Sequence, residues 1–243
     1  MSKDPKVILE ILSKFNGNID NIYRFLYIPE FYKVAYQNIY FKPSQMTPAS
    51  DESTIDGMSL KRIEKIIQKL KDKTYQPTPL RRINILKKDG DKRPIHIPSF
   101  EDKLIQEVIR MILEAIYEHT FSEHSHGFRP KKSCHTALYY MKGKFKGTKW
   151  WINCDIHGCF DNINHQILLK ILAERIKEQK FLVLINKFLK AGYIENWQYH
   201  KTYSGITQGS IISPILANIY LSKFDEYMER VVLDFLERKT KKI

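Results

Sequence analysis

The sequence predicts an α+β fold, helix-rich with a few short strands, and three observations predict it. Most of the chain carries apolar residues at helical spacing. Residues 81–97 alternate on both sides of Asp89-Gly90, a strong hairpin signal. An apolar run at 150–156 brings one carboxylate, Asp155, to what reads as the end of a buried strand.

Residues 5–41 read as helical, with Val7, Ile8, Ile11, Leu12 and Phe15 at helical spacing and Pro29 as an interruption. The Ser, Thr and Pro of 42–58, with Asp56-Gly57, mark a loop. Residues 60–70 read as an amphipathic helix, Leu60, Ile63, Ile66, Ile67 and Leu70 on one face and lysines on the other. After the hairpin, Ser99 with Asp102 three residues on caps a helix running to about Glu118. Its apolar face holds Leu104, Ile105, Val108, Ile109, Ile112, Leu113 and Ile116. Residues 127–130 are a turn, 133–145 a helix and 150–156 a strand. Helices follow at 166–176 and 181–191, a polar-aromatic hairpin at 197–203, and a long helix at 213–236. A soft boundary near residue 98 divides a basic front part, 1–98, from a more apolar back part, 99–243.

The 243 residues suit one large domain or two small ones, and 43% hydrophobic residues can fill a core. The net charge of +13, from 40 Lys+Arg against 27 Asp+Glu, points to a polyanionic partner, nucleic acid ahead of a membrane surface. The three cysteines are odd in number and form no CxxC, which disfavours a zinc site and suits a reducing compartment. With no signal-peptide-like stretch and no run of 18 apolar residues, the expected location is the cytoplasm.

Two segments carry the chemistry. Asp155, after Trp-Trp-Ile-Asn-Cys, reads either as a ligand of Mg²⁺, which prefers hard oxygen donors, or as a turn-capping residue. Asp161, just before a helix, reads as a turn or cap residue. In the second segment Gln208-Gly209 precedes Ser213-Pro214, and Pro214 suits the first position of a helix. A glycine there lets backbone approach a ligand closely. Lys14, Arg24, Lys33 and Lys42 lie among tyrosines, a mixture that suits RNA and also suits a tyrosine stripe facing the core.

Taken together and in order, these segments resemble the reverse transcriptases of group II introns, also called maturases. Residues 54–58 (Thr-Ile-Asp-Gly-Met) are similar to the family's N-terminal loop block, and 87–94 to its fingers hairpin. His126-Gly127-Phe128-Arg129-Pro130 is similar to its second block. Residues 155–161 are similar to the block with the first catalytic aspartate, and 208–220 to the block after it. The resemblance covers most of the chain. It implies a right-hand polymerase: the N-terminal extension and fingers over 1–98, the rest of the fingers and a partial palm over 99–243, with a fingers hairpin and a small antiparallel palm sheet.

The resemblance also implies roles. Asp155 would bind catalytic Mg²⁺ with help from the Ile156 carbonyl, in a two-ion site. Phe160 would be the steric gate against a 2′-hydroxyl. Lys87 and Arg93 would grip the triphosphate, and Gln208 and Gly209 would line the nucleotide or primer side. Arg24, Lys33, Arg129 and Lys131 would contact RNA, with a structural pairing equally open for Arg129. The implied partners are group II intron RNA, an RNA template with a DNA primer, and dNTP. Homodimerisation across an apolar surface is left open.

The family places two further carboxylates in an aromatic-x-Asp-Asp turn, and no Asp-Asp pair occurs in these residues. The expectation is a fragment that binds RNA and does not polymerise alone. Two functions stay in view: an RNA-directed DNA polymerase that is also a maturase, and a splicing maturase without polymerase activity.

Overall fold

The structure, a computed structural model, describes residues 4–40, 47–86, 90, 92–150 and 152–240, with side chains to residue 232. Three helices open the chain: α1 (Pro5–Lys14), α2 (Pro29–Tyr40) and α3 (Leu60–Lys71), with a 3₁₀ turn at Tyr23–Tyr27. Strands β1 (Leu80–Leu86) and β2 (Lys92–Ile97) follow, then helix α4 (Phe100–Tyr117) and helix α5 (Cys134–Lys144). Helices α6 (His165–Arg175) and α7 (Gln179–Leu189) precede strands β3 (Tyr193–Glu195) and β4 (Gln198–His200), and α8 (Ser213–Thr240) closes the chain.

The helix starts follow from local chemistry. Asp4 accepts from the Lys6 amide with Pro5 at the first helical position. Ser99 caps α4 through the Asp102 amide, Ser133 and Thr136 form a reciprocal capping box on α5, and Asn164 accepts from the Gln166 and Ile167 amides.

Helix α4 is the centre of the molecule. Leu104, Ile105, Val108, Ile109, Ile112, Leu113 and Ile116 are all fully buried, and α1, α2 and α8 pack around them. Its polar side is buried as well, which the one-sided apolar pattern does not predict. Asp102, Lys103, Gln106 and Glu107 lie inside because α4 is wrapped on every side. Glu107 is neutralised by Arg110 at 2.8 Å and accepts from Asn38 at 2.9 Å. The apolar core is continuous from Ile8 in α1 to Ile219 in α8, so it crosses residue 98.

The buried Asp102 carboxylate accepts from the Tyr75 hydroxyl and the Thr78 amide. Burial outweighs these bonds and pushes its pKa from 3.8 up to about 6. The folded chain therefore holds a proton that the unfolded chain has lost between those two values. Stability from this group is present below pH 4 and is lost as pH rises through about 6, on the order of 3 kcal/mol in all. Asp102→Asn keeps the acceptor and removes the titration. In denaturant melts the wild-type advantage over this variant should shrink between pH 4 and pH 7. A constant difference would contradict the assignment.

The two hairpins join into one mixed sheet of order β2-β1-β3-β4. Strand β1 pairs antiparallel with β2, Arg82 opposite His96 and Ile85 opposite Arg93. It pairs parallel with β3, which pairs antiparallel with β4. The expected strand at 150–156 is not formed. Residues 152–156 are irregular and exposed, Ile152 by 87% and Ile156 by 53%. None of the described strands lies beside this segment, and a strand without a neighbour leaves its backbone groups unpaired. The small antiparallel palm sheet is accordingly not among the described strands, while the α+β, helix-rich class holds.

Candidate nucleotide and nucleic-acid site

Gln106, buried on α4, organises the loop ahead of α8. Its Oε1 accepts from the Ser210 hydroxyl at 2.8 Å and the Ile211 amide at 3.0 Å. The Ser213 hydroxyl closes the loop onto the Thr207 carbonyl at 2.8 Å. The loop then lies along the outer edge of β2, where the His96 amide donates to the Gln208 carbonyl at 2.7 Å. Gly209, at φ +110°, sits so close that a Cβ there would be 2.2 Å from the His96 carbonyl oxygen. Only glycine fits, for both sterics and φ.

Arg93 and Gln208, both expected at the nucleotide, are brought together: the Arg93 Nε donates to the Gln208 Oε1 at 3.1 Å. Arg93 remains exposed. Burial, followed by the nearby Arg82 charge, holds the His96 imidazole below its usual pKa. Lys87 lies outside the described residues.

The Asp155 segment is laced to the same loop. Gly158 turns at φ +58°, and its carbonyl accepts from the Asp161 and Asn162 amides at 3.0 Å each. The Phe160 carbonyl takes the Ile206 amide at 2.7 Å and the Ile163 carbonyl takes the Gly205 amide at 2.8 Å. Gly205 lies against the Asp161 backbone, where a Cβ would come within 2.6 Å, and its carbonyl meets the His165 Nε2 at 2.6 Å. Phe160 is half-buried against the core, its ring edge-on to Phe128 at 6.2 Å. The Gly127 carbonyl is in turn held by the Asn218 amide of α8 at 2.9 Å. A cavity of about 490 Å³ lies where these parts meet, lined by Arg110, Glu114, Phe128, Gly209 and Pro214 among others.

Asp155 and Ile156 stand exposed on the segment entering this turn. Burial, and after it the Asp155 charge, pushes the Cys159 thiol pKa up. A carboxylate and a backbone carbonyl are hard oxygen donors of the kind Mg²⁺ takes. Among the described residues no three His, Cys, Asp or Glu are grouped to hold a metal.

The candidate RNA contacts divide. Arg129 is not free to reach a template: its side chain is 7% exposed and pairs with Glu118 at 2.9 Å. Its other hydrogen bonds go to the carbonyls of Glu118, Ser122 and Ser125, so it fastens the turn that carries Phe128. Lys131 is exposed and lines an open groove with Lys132, Tyr139 and Lys144. Arg24, over the Phe25 ring at 5.3 Å, and Lys33 on α2 are exposed. Of the tyrosines around them, Tyr23 and Tyr32 are buried. Lys42 is outside the described residues.

Sequence reasoning missed Gln106, Asn218 and His165. Gln106 lies beside the apolar stripe of α4, between Ile105 and Val108, where helical periodicity marks no role for it. For the other two nothing in the local sequence marks the long-range bond.

The hairpin of β1 and β2 clasps a Gln-Gly loop, and an aspartate-bearing turn is laced to that loop, an arrangement of the right-hand polymerase fold. Residues 85–236 match the family described as reverse transcriptase (RNA-dependent DNA polymerase), and the chain belongs to that family. It is 52% identical over 239 residues to the group II intron-encoded protein LtrA of Lactococcus lactis subsp. cremoris, covering 96% of this chain and 40% of that protein. It is 48% identical over 241 residues to an uncharacterized 91 kDa protein in the cob intron of Schizosaccharomyces pombe, covering 96% of this chain and 30% of that one. Among solved structures, a chain of a partial Cas6-RT-Cas1–Cas2 complex superposes with a TM-score of 0.56 at 21% identity, over 86% of this chain and 35% of that chain, a likeness of fold.

Proposed function

We propose that this chain is the fingers and part of the palm of a group II intron-encoded reverse transcriptase and maturase. The whole protein would bind its intron RNA, assist splicing and copy the RNA into DNA for intron mobility. The observation that carries the reading is the Arg93–Gln208 pairing at the edge of β2, beside the turn that bears Asp155 and Phe160.

In the reaction the primer 3′-oxygen attacks the α-phosphorus of a dNTP. Its proton leaves, the new P–O bond forms, and pyrophosphate departs. Arg93, exposed and bonded to the neutral Gln208 amide, would turn onto the triphosphate and offset its charge. Gln208 would then be released toward the nucleotide. Phe160, its position fixed by backbone bonds to 206, would lie under the sugar and exclude a 2′-hydroxyl. Asp155 and the Ile156 carbonyl would hold Mg²⁺, which supplies charge neutralisation at the attacking and leaving oxygens. The remaining carboxylates would come from a part of the whole protein outside this chain.

The second reading, a splicing maturase without polymerase activity, draws on one observation: among the described residues Asp155 belongs to no group of three potential metal ligands.

With a net charge of +13, the chain itself should bind RNA through phosphate contacts. Affinity measured by fluorescence anisotropy should fall about a hundredfold or more between 50 and 200 mM salt. Primer extension by residues 1–243 alone should be absent. Salt-independent binding, or extension by the isolated chain, would contradict this account.

A further inference from the structure

The β3–β4 hairpin presents a feature that folding does not explain. Its two-residue turn, Asn196-Trp197, has φ values of +50° and +65°. Glycine is the usual second residue of such a turn, and a bulky side chain in the left-handed region is strained. Burial could offset that strain, but Trp197 is 98% exposed. An aromatic held in a strained conformation and facing solvent points to a contact made outside the chain.

The rest of the hairpin fits a stack of bases. Tyr199 packs against Gly192, where a Cβ would fall 2.5 Å from the ring, and its hydroxyl donates to the Ala191 carbonyl at 3.4 Å. One side of the ring is thus seated while the residue stays 52% exposed. Tyr199 is opposite Ile194, and the alternation puts exposed Lys201 next on the same side. The hairpin's carboxylate points elsewhere: Glu195 meets Arg82 at 3.5 Å and Asn84 at 3.1 Å. The other aromatic, Tyr193, is already occupied, stacked on His200 at 5.0 Å and covered by Arg82 at 4.9 Å. The free face therefore carries rings and a cation without an opposing acid, the combination that receives unpaired nucleotides.

We propose that Trp197 and Tyr199 form a stacking platform for single-stranded RNA, with Lys201 on its phosphates. The proposal rests on the reading of this chain as an RNA-binding protein. A sequence-tolerant platform beside the fingers hairpin would hold an unpaired stretch of bound RNA.

The test uses Trp197→Gly and Trp197→Phe, with a fluorescent 12-nucleotide oligouridine and a blunt RNA duplex as probes. Trp197→Gly relieves the turn, so its melting temperature should stay level or rise, while oligouridine affinity should drop about tenfold, the low end for one stacked base. Duplex affinity should stay within about twofold, and Trp197→Phe should keep most oligouridine binding. Unchanged oligouridine binding by Trp197→Gly, or an equal loss on duplex, would overturn the platform while leaving the RNA-binding reading intact. A Trp197→Gly change in self-association without loss of RNA affinity would assign the ring to a protein contact and also overturn it. Failure of the unaltered chain to bind either RNA would sink the functional reading and the platform together.

Discussion

Asp155→Ala should lower templated nucleotide addition by the whole protein by a factor of about 10³ or more and leave RNA affinity within about twofold. The size of the effect follows from the role proposed for Asp155, a hard oxygen ligand for Mg²⁺ on the segment entering the Phe160 turn. The selectivity follows from its exposure on an irregular segment, so its loss removes no packing. Single-nucleotide primer extension and filter binding on the same preparations separate the two quantities. Activity within tenfold of wild type would show that Asp155 only caps a turn.

Gly209→Ala should be the most disruptive small substitution in the chain. The added methyl would meet the His96 carbonyl oxygen at 2.2 Å, and that oxygen is backbone in a paired strand. Relief requires the loop to leave β2, which breaks the His96–Gln208 backbone bond and draws Gln208 from Arg93. The φ of +110° adds strain of its own. The expected loss is about 2–4 kcal/mol of stability, with a large rise in KM for dNTP in the whole protein. Gly127→Ala is the control, since a Cβ there meets nothing within 4 Å and should change stability by less than about 0.5 kcal/mol. Equal melting of the two variants would show that the Gln208-Gly209 loop is not clamped to β2.

What the sequence discloses here is mostly local. Ser99, Ser133 and Asn164 start helices because a side chain satisfies an amide two or three residues away, and such signals survive in any context. The hairpin expected at 197–203 is present but turns earlier, at 196–197, because Trp197 takes the left-handed position that a sequence reading reserves for glycine. The site is legible in its parts and not in its assembly. Arg93 and Gln208 were each expected at the nucleotide, yet their direct bond joins residues more than a hundred positions apart. Gln106 was invisible because helical periodicity records apolar faces, and α4 is buried on its polar face too. The strand expected at 150–156 failed for the opposite reason: its apolar residues are right, but a strand exists only beside a partner. Arg129 had two open roles, and the carbonyls of 118, 122 and 125 settle its position in a turn.

The most direct test of the central claim is RNA-templated DNA synthesis by the whole protein on an oligo(dT) primer annealed to poly(rA), with dTTP and Mg²⁺. The account predicts incorporation that requires the RNA template and disappears in Asp155→Ala. A protein that binds and helps splice its intron RNA, yet incorporates no dTTP under these conditions, would contradict it.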